Sequence, residues 1–195
     1  APIVTPELME AIRQNIIEPT LRGMAAEGNP YNGCLYVGVM IHNGVARVVE
    51  FNSRFGDPET QVILPILQDD LAAVMLAAAT GTMDQIGELT SHGAAVCVVV
   101  ASEGYPGSYQ KGRGIEGIEQ AESREGGIVF HAGTAIRDGA LVTNGGRVLG
   151  VTAINHHGNL KQAIRQAYHS VEQIKFDGAF YRSDIGHRAI REVHP

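Results

Sequence analysis

The fold is decided by residues 48–61, which read VVEFNSRFGDPETQ and close a predicted β-hairpin. Residues 34–41 and 45–51 are both rich in β-branched and aromatic side chains, as strands usually are. Between them stands Asn43-Gly44, a pair that is typical of a two-residue hairpin turn. The sequence therefore predicts two antiparallel strands joined at these two residues.

Two polar side chains share one face of the second predicted strand. Side chains two residues apart point the same way, so Glu50 and Asn52 lie on one face while Val49 and Phe51 lie on the other. A carboxylate and an amide oxygen suit a hard cation such as Mg²⁺, which proteins usually hold by one or two carboxylates together with substrate phosphates. A cation here would imply a bound nucleotide. The alternative is that the pair forms the solvent-facing half of an edge strand.

The strand runs directly into a dense polar segment, and this context favours the functional interpretation. Arg54 offers a planar fork that suits phosphate or carboxylate, with a surface ion pair to Asp57 or Glu59 as the alternative. Asp57-Pro58-Glu59 is typical of a helix start, with Asp57 as the N-cap and Pro58 at the first position. Pro65 predicts an early break in that helix. A capping role for Asp57 does not exclude contact with a substrate.

Helices are predicted on both sides of the hairpin, and short strands dominate the later part of the chain. Composition changes after Gly81, which ends the second of the longer helices. The pattern indicates an α+β fold with a first domain over residues 1–81 and a small β-rich domain over residues 82–195. We predict helices over residues 6–24, about 68–80 and 160–174, and strands over 94–101, 127–136, 140–142, 147–154 and 179–185.

Composition narrows the function classes. The formal net charge is −6, whereas a nucleic-acid surface normally shows a basic stripe. No run of about 18 apolar residues predicts a membrane span, and the first residues carry no export signal. Cys34 and Cys97 are too few for a disulfide framework and lack zinc-site spacing. We expect a cytoplasmic protein that binds neither nucleic acid nor membranes. Ala1 in place of a starting methionine is compatible with a fragment, a processed chain or a trimmed one.

The chain resembles the phosphoribosylamine–glycine ligases, or glycinamide ribonucleotide synthetases, of the ATP-grasp superfamily. The segment at residues 50–61 carries most of the resemblance. Further matching pieces follow in family order at residues 19–24, 105–107, 131–134, 144–149 and 184–186. The resemblance implies that residues 1–81 are the last part of an ATP-grasp domain and that residues 82–195 are the carboxyl-terminal domain. Because family members are much longer at the amino end, it also implies a missing N-terminal part that clamps ATP and acts as this chain's partner.

The resemblance further implies an ATP-dependent carbon–nitrogen ligase that joins glycine to 5-phosphoribosylamine in de novo purine synthesis. The products would be glycinamide ribonucleotide, ADP and phosphate, formed through a glycyl phosphate. Glu50 and Asn52 match the family's metal ligands, for Mg²⁺ or Mn²⁺. By the same carry-over, Arg54 and Asp57 are catalytic, and the substrate-binding residues are Arg54, Gly56, Asp57, Pro58 and Glu59. We expect this chain, which holds part of the site, to be inactive alone.

Two other function classes stay open. Another ATP-grasp enzyme, a carboxylase or a formate-using transferase, would have a comparable β-rich carboxyl-terminal domain. A non-catalytic nucleotide-binding module would keep the fold without turnover. Residues 107–112 surround Lys111 with glycines, but without the flanking strand and helix of a P-loop they predict only a mobile loop. We interpret His131 as a structurally satisfied histidine rather than a general base.

Overall fold

The computed structural model describes residues 4–190 and divides them into two units. The first unit takes in the described residues up to Gly56 together with Asp69–Leu89. The second takes in Asp57–Gln68 together with the described residues from Thr90 onward. The segment Asp57–Gln68 therefore belongs to the second unit although the first unit flanks it in sequence.

A long helix with one widened turn opens the first unit. Helix α1 (Pro6–Ile12) begins at Thr5, whose Oγ1 accepts a hydrogen bond from the Leu8 N–H at 3.2 Å. A π-helical turn (Arg13–Ile17) follows, and helix α2 (Glu18–Ala26) continues from it. Pro19 has no N–H to donate to the preceding turn, and widened turns are a common accommodation of such a gap. The predicted helix is confirmed and extends two residues further.

The predicted hairpin is also confirmed. Strand β1 (Tyr36–His42) pairs antiparallel with β2 (Val45–Asn52). Asn43 and Gly44 both have positive φ, at 50° and 74°, which is the conformation of a type I′ turn. The pairing register shifts between Gly38 and Val39, so the hairpin contains one bulge.

The segment after the hairpin starts a short helix later than predicted. Helix α3 (Thr60–Ile63) has Glu59 at its N-cap position, and the Glu59 side chain makes no capping hydrogen bond. The prediction that Asp57 caps this helix is therefore wrong; the Asp57–Pro58 peptide is cis, and the Asp57 carboxylate has other partners. As Pro65 predicted, the helix gives way at once to a 3₁₀ turn (Leu64–Ile66).

Helix α4 (Leu71–Thr80) returns the chain to the first unit. Asp70 caps it by accepting hydrogen bonds from the N–H groups of Ala72 and Ala73. Gly81 ends it in the left-handed conformation, with φ of 71°, as the sequence predicted. A 3₁₀ turn (Met83–Gln85) follows.

The second unit is built on a four-stranded antiparallel sheet. Its order is β4-β7-β3-β8, from β3 (Ala94–Ser102), β4 (Gly127–His131), β7 (Arg147–Asn155) and β8 (Ala179–Phe180). A separate hairpin pairs β5 (Thr134–Arg137) with β6 (Ala140–Thr143). The helices of this unit are α5 (Ile118–Glu122), α6 (Leu160–Val171) and α7 (His187–Ile190). With the hairpin and helices of the first unit, these elements confirm the α+β fold class.

Strand β7 is buried on both faces because two helices cover it. Leu149 and Val151 are fully buried in one core with Ala163 and Ala167 of α6. On the other face lie Gly150 and Thr152, against the segment that carries α3. Double coverage explains why β7 reads as a continuous apolar run rather than an alternating one. The segment Asp57–Gln68 is thus part of the packing of this sheet.

Three predicted element boundaries in the second unit are wrong. The strand predicted over residues 127–136 divides in two, because the N–H groups of Ala132 and Gly133 both donate to the Val148 carbonyl and break the alternation. The helix predicted to residue 174 ends at Val171. The last strand stops at Phe180, since the Tyr168 hydroxyl ties down the following residues instead. Among residues 4–190, no helix combines the length and apolar character needed to cross a membrane.

Candidate functional site

The two predicted metal ligands lie together at the end of β2. The Asn52 Nδ2 donates a hydrogen bond to the Glu50 Oε1 at 3.0 Å, so the two side chains share a face as predicted. Glu50 is exposed, and Asn52 is half-buried. Val48 pairs with Val39 and Glu50 pairs with Gly38, so Val49 is the extra residue of the bulge. It is the one position of β2 where the alternation of side chains between the two faces is interrupted.

Gly38 gives the Glu50 side chain its space, and the sequence interpretation missed it. A Cβ at Gly38 would lie 3.1 Å from the Glu50 Cγ, which is closer than about nine in ten real Cβ contacts, so the Glu50 side chain would have to shift. A glycine inside a strand often marks such a close approach, so the signal was present in the sequence. What the sequence did not give was the register that places Gly38 opposite Glu50.

The donor set at this position fits a hard divalent cation. Two oxygens that share a magnesium ion at about 2.1 Å lie about 3 Å apart, close to the separation of the Glu50 and Asn52 head groups. The amide oxygen and nitrogen of Asn52 exchange places on a flip of the side chain, so either atom can face the carboxylate. Within residues 4–190, no group of three or more His, Cys, Asp or Glu could hold a metal. A cation at this pair would take its other ligands from water and phosphate.

The predicted substrate segment crosses from one unit to the other. Arg54 and Gly56 belong to the first unit, and Asp57, Pro58 and Glu59 belong to the second. Arg54 is exposed and donates from Nη1 to the carbonyl of Phe55 at 2.9 Å, whereas Gly56 is buried.

Asp57 is held by Arg147, a residue that the sequence interpretation did not connect with it. The Arg147 Nη2 lies 3.3 Å from the Asp57 Oδ2, and the Arg147 Nη1 donates to the Asp57 backbone carbonyl at 3.0 Å. The Gln61 Nε2 donates to the remaining carboxylate oxygen, Oδ1, at 3.0 Å. Each oxygen of Asp57 thus has a partner that fixes its direction, which is stronger positioning than a single surface ion pair gives.

The sheet beneath this contact anchors Gln61. The Thr152 hydroxyl donates to the Gln61 carbonyl at 3.0 Å. Cys97 pairs in register with Thr152 and is buried. Burial raises the pKa of the Cys97 thiol; a side-chain hydrogen bond with Thr152 acts in the opposite direction, and the Asp57 charge acts in the same direction as burial. We therefore assign Cys97 a packing role as a neutral thiol.

Pro58 and Glu59 line a shallow pocket within the second unit. Its volume is about 240 Å³, and Cys97 and Ile185 complete its walls together with neighbouring residues of β3.

The remaining candidate, His131, lies elsewhere in this unit and shares a hydrogen bond of 3.0 Å with the Thr134 hydroxyl. That contact agrees with the interpretation of His131 as a structurally satisfied side chain.

Comparison with known families gives two matches that follow the order of the chain. Residues 1–60 match the phosphoribosylglycinamide synthetase ATP-grasp (A) domain, and residues 95–188 match the phosphoribosylglycinamide synthetase C domain. Curated relatives named phosphoribosylamine–glycine ligase include those of Synechocystis, 49% identical over 97% of this chain, and Chlorobaculum tepidum, 50% identical over 97%. The chain spans only 45% and 44% of those two relatives.

Solved structures agree with this assignment. The crystal structure of phosphoribosylamine–glycine ligase from Thermotoga maritima superposes with a TM-score of 0.80 at 36% identity, covering 94% of this chain and 44% of that one. A single-chain, multi-domain long-chain acyl-CoA carboxylase shares the fold at 21% identity, with a TM-score of 0.62 over 91% of this chain and 19% of that one. By two domain matches in order, high identity and close superposition, the chain belongs to the phosphoribosylamine–glycine ligase family, within the ATP-grasp superfamily.

Proposed function

We propose that the protein carrying this sequence joins glycine to 5-phosphoribosylamine at the expense of ATP, giving glycinamide ribonucleotide, ADP and phosphate in de novo purine synthesis. The observation that supports this most directly is the pinned carboxylate of Asp57 inside the family segment, with a partner at each of its oxygens. A solvated surface loop would not need such positioning.

Glu50 and Asn52 would hold Mg²⁺ or Mn²⁺ at the end of β2. When bound, that ion supplies positive charge that neutralises the phosphoryl group in transfer. The contribution of the chain is to keep two oxygen donors on one face, with Gly38 leaving the Glu50 side chain unobstructed.

The substrate-binding residues have chemistry that suits glycine and its acyl phosphate. The carboxylates of Asp57 and Glu59 would accept hydrogen bonds from the glycine ammonium group. The exposed fork of Arg54 would bind a carboxylate or phosphoryl oxygen. Gly56 would give the backbone a close approach to the substrate, and Pro58 would limit the freedom of the loop. Once glycine's carboxylate has been phosphorylated, the amine of phosphoribosylamine attacks the carbonyl carbon of the glycyl phosphate, and phosphate leaves as the amide bond forms.

The ATP-clamping residues would come from the N-terminal part of an enzyme as long as the relatives. Within this proposal, residues 1–81 are the last part of the ATP-grasp domain and residues 82–195 are the carboxyl-terminal domain. The proposed compartment is the cytoplasm. The free thiols of Cys34 and Cys97 are compatible with that reducing setting.

An assay of the full-length gene product tests the function. ADP release should require glycine, phosphoribosylamine and a divalent cation together. An acyl-CoA carboxylase shares the fold, and a shared fold does not fix the reaction, so the assay also has to distinguish a carboxylase or a formate-using transferase. Bicarbonate or formate dependence without glycine dependence would establish that alternative. ATP binding without hydrolysis in the presence of both substrates would indicate a non-catalytic nucleotide-binding module instead.

A further inference from the structure

Residues 181–186 form a strap that connects strand β8 to helix α7 without helix or strand structure of its own. The proposed function gives this strap no role. Ile185 packs against the core of the second unit. Arg182 and Asp184 are exposed, and the Arg182 Nε and Nη2 donate to the two Asp184 carboxylate oxygens at 2.8 and 2.7 Å. The strap therefore has an inner apolar side and an outer charged side.

Tyr168 of α6 holds the strap by its hydroxyl group. The hydroxyl donates to the Arg182 carbonyl at 2.8 Å and accepts from the Ile185 N–H at 2.9 Å. Both contacts are to the main chain, so they set the course of the strap independently of its side chains. Burial raises the pKa of the Tyr168 hydroxyl, which therefore keeps the proton that it donates.

Ile185 brings the strap beside the predicted substrate segment. It lines the pocket of about 240 Å³ whose walls also include Pro58, Glu59 and Cys97. All of these residues belong to the second unit, so the pocket lies within one compact part of the chain. The main-chain N–H of Ile185 is the group that Tyr168 holds. A hydrogen bond from α6 thus controls one wall of the pocket.

We propose that Tyr168 is a positioning residue for Pro58 and Glu59. Its hydroxyl holds the strap so that Ile185 closes the pocket that these two residues line. The closed pocket keeps the Glu59 carboxylate in the direction that substrate binding requires. The tether rests on contacts within the second unit alone, whereas its effect on glycine rests on the proposed function.

Chemical labelling of Cys97 tests the tether without any substrate. Cys97 is buried and lines the same pocket, so its reaction with a thiol reagent reports opening of that pocket. In this 195-residue chain, Cys34→Ser leaves Cys97 as the single thiol. Tyr168→Phe in that background removes both hydrogen bonds and keeps the ring, so labelling should become roughly 3- to 30-fold faster.

Tyr181→Phe is the matched control for this measurement. The centres of the Tyr181 and Tyr168 rings lie 6.3 Å apart, but within residues 4–190 the Tyr181 hydroxyl has no hydrogen-bond partner. Its loss should leave the labelling rate unchanged. Urea separates local release of the strap, which depends little on urea, from unfolding of the whole unit, which depends on it steeply. Equal acceleration in Tyr181→Phe, or a steep urea dependence in Tyr168→Phe, would overturn the proposal.

Kinetics of the full-length enzyme test the effect on the substrate segment. Tyr168→Phe should raise the KM for glycine roughly 3- to 30-fold with little change in the KM for ATP. Ile185→Ala should raise it as well, and the double variant should show no further rise, because Tyr168 acts through Ile185. Ile185→Val, which keeps most of the packing, takes its place if Ile185→Ala does not fold. Fully additive effects would overturn the positioning role.

Failure of the proposed function would give a different pattern from failure of the tether. If the function were wrong, Tyr168→Phe would still speed up the labelling of Cys97 in this chain, while the full-length protein showed no glycine-dependent turnover. If the tether were wrong, Cys97 in Tyr168→Phe would react no faster than in the parent chain.

Discussion

Arg147 contacts Asp57 twice, at the carboxylate Oδ2 and at the backbone carbonyl, across 90 positions of sequence. The guanidinium therefore fixes the side chain and the main chain of the loop together. Arg147 itself is anchored at the start of β7, which is central in its sheet. We infer that Arg147 is a positioning residue for the predicted substrate segment.

Arg147→Met in the full-length enzyme should raise the KM for glycine more than it lowers kcat. The change removes two contacts of a half-exposed guanidinium, so we expect roughly a 5- to 50-fold rise in KM after solvent screening is allowed for. Steady-state kinetics against glycine and against ATP measure it. Arg147→Lys should recover part of the loss. Equal changes in the KM for ATP and for glycine would instead indicate general unfolding.

Glu50→Gln should lower turnover and raise the divalent cation concentration that is needed for half-maximal activity. The substitution keeps an oxygen within reach of the Asn52 amide but removes the charge that a magnesium ligand supplies. A magnesium titration of the full-length enzyme measures both quantities. Kinetics that match wild type across the whole titration would contradict the metal assignment.

Gly38→Ala should reproduce part of the Glu50→Gln effect although it removes no polar group. Its Cβ would press on the Glu50 Cγ at 3.1 Å and turn the carboxylate away. The matched control is Gly23→Ala, since a Cβ there has no described neighbour within 4 Å and alanine favours the helix. A normal magnesium requirement for Gly38→Ala would show that Glu50 tolerates the displacement.

Leu149→Ala should cost far more stability than Phe51→Ala. Leu149 is fully buried in the core of the second unit, so its truncation should cost about 2–5 kcal/mol. Phe51 is 44% exposed in this chain, so its loss should fall well below the 3–5 kcal/mol typical of a fully buried ring. Urea unfolding of both variants provides the comparison, and a larger loss for Phe51→Ala would mean that another surface covers that ring in solution.

This chain alone should release no ADP in a glycine-dependent manner. Phosphoryl transfer depends on a phosphate cradle as well as a metal, and residues 107–112 do not have the strand and helix of a P-loop. Addition of the N-terminal part in trans should restore some activity. Because Met40, Val45 and Val49 of the hairpin are exposed and apolar, the chain alone should also self-associate, as light scattering would reveal. Glycine-dependent turnover without the added part would mean that the ATP site had been misplaced.

Local chemistry accounts for what the sequence predicted well. The Asn43-Gly44 turn, the glycine at position 81 and the spacing of Glu50 and Asn52 each involve neighbours in sequence, and all three appear in the structure. The errors arise from distant contacts. Asp57 looks like a helix cap until Arg147 is folded against it, and residues 127–136 read as one strand until Val148 supplies a carbonyl for two N–H groups.

Because Asp57–Gln68 packs with the second unit, the folding unit and a boundary placed at the change of composition differ in this protein. A gene split at Gly81, where composition changes, would separate α3 from the sheet face formed by Gly150 and Thr152. The second unit would then expose that face to water and lose the hydrogen bond from Thr152 to Gln61. Recombination that exchanged the carboxyl-terminal domain between relatives would succeed only if it carried these twelve residues along, so this segment should be inherited with the sheet that it covers.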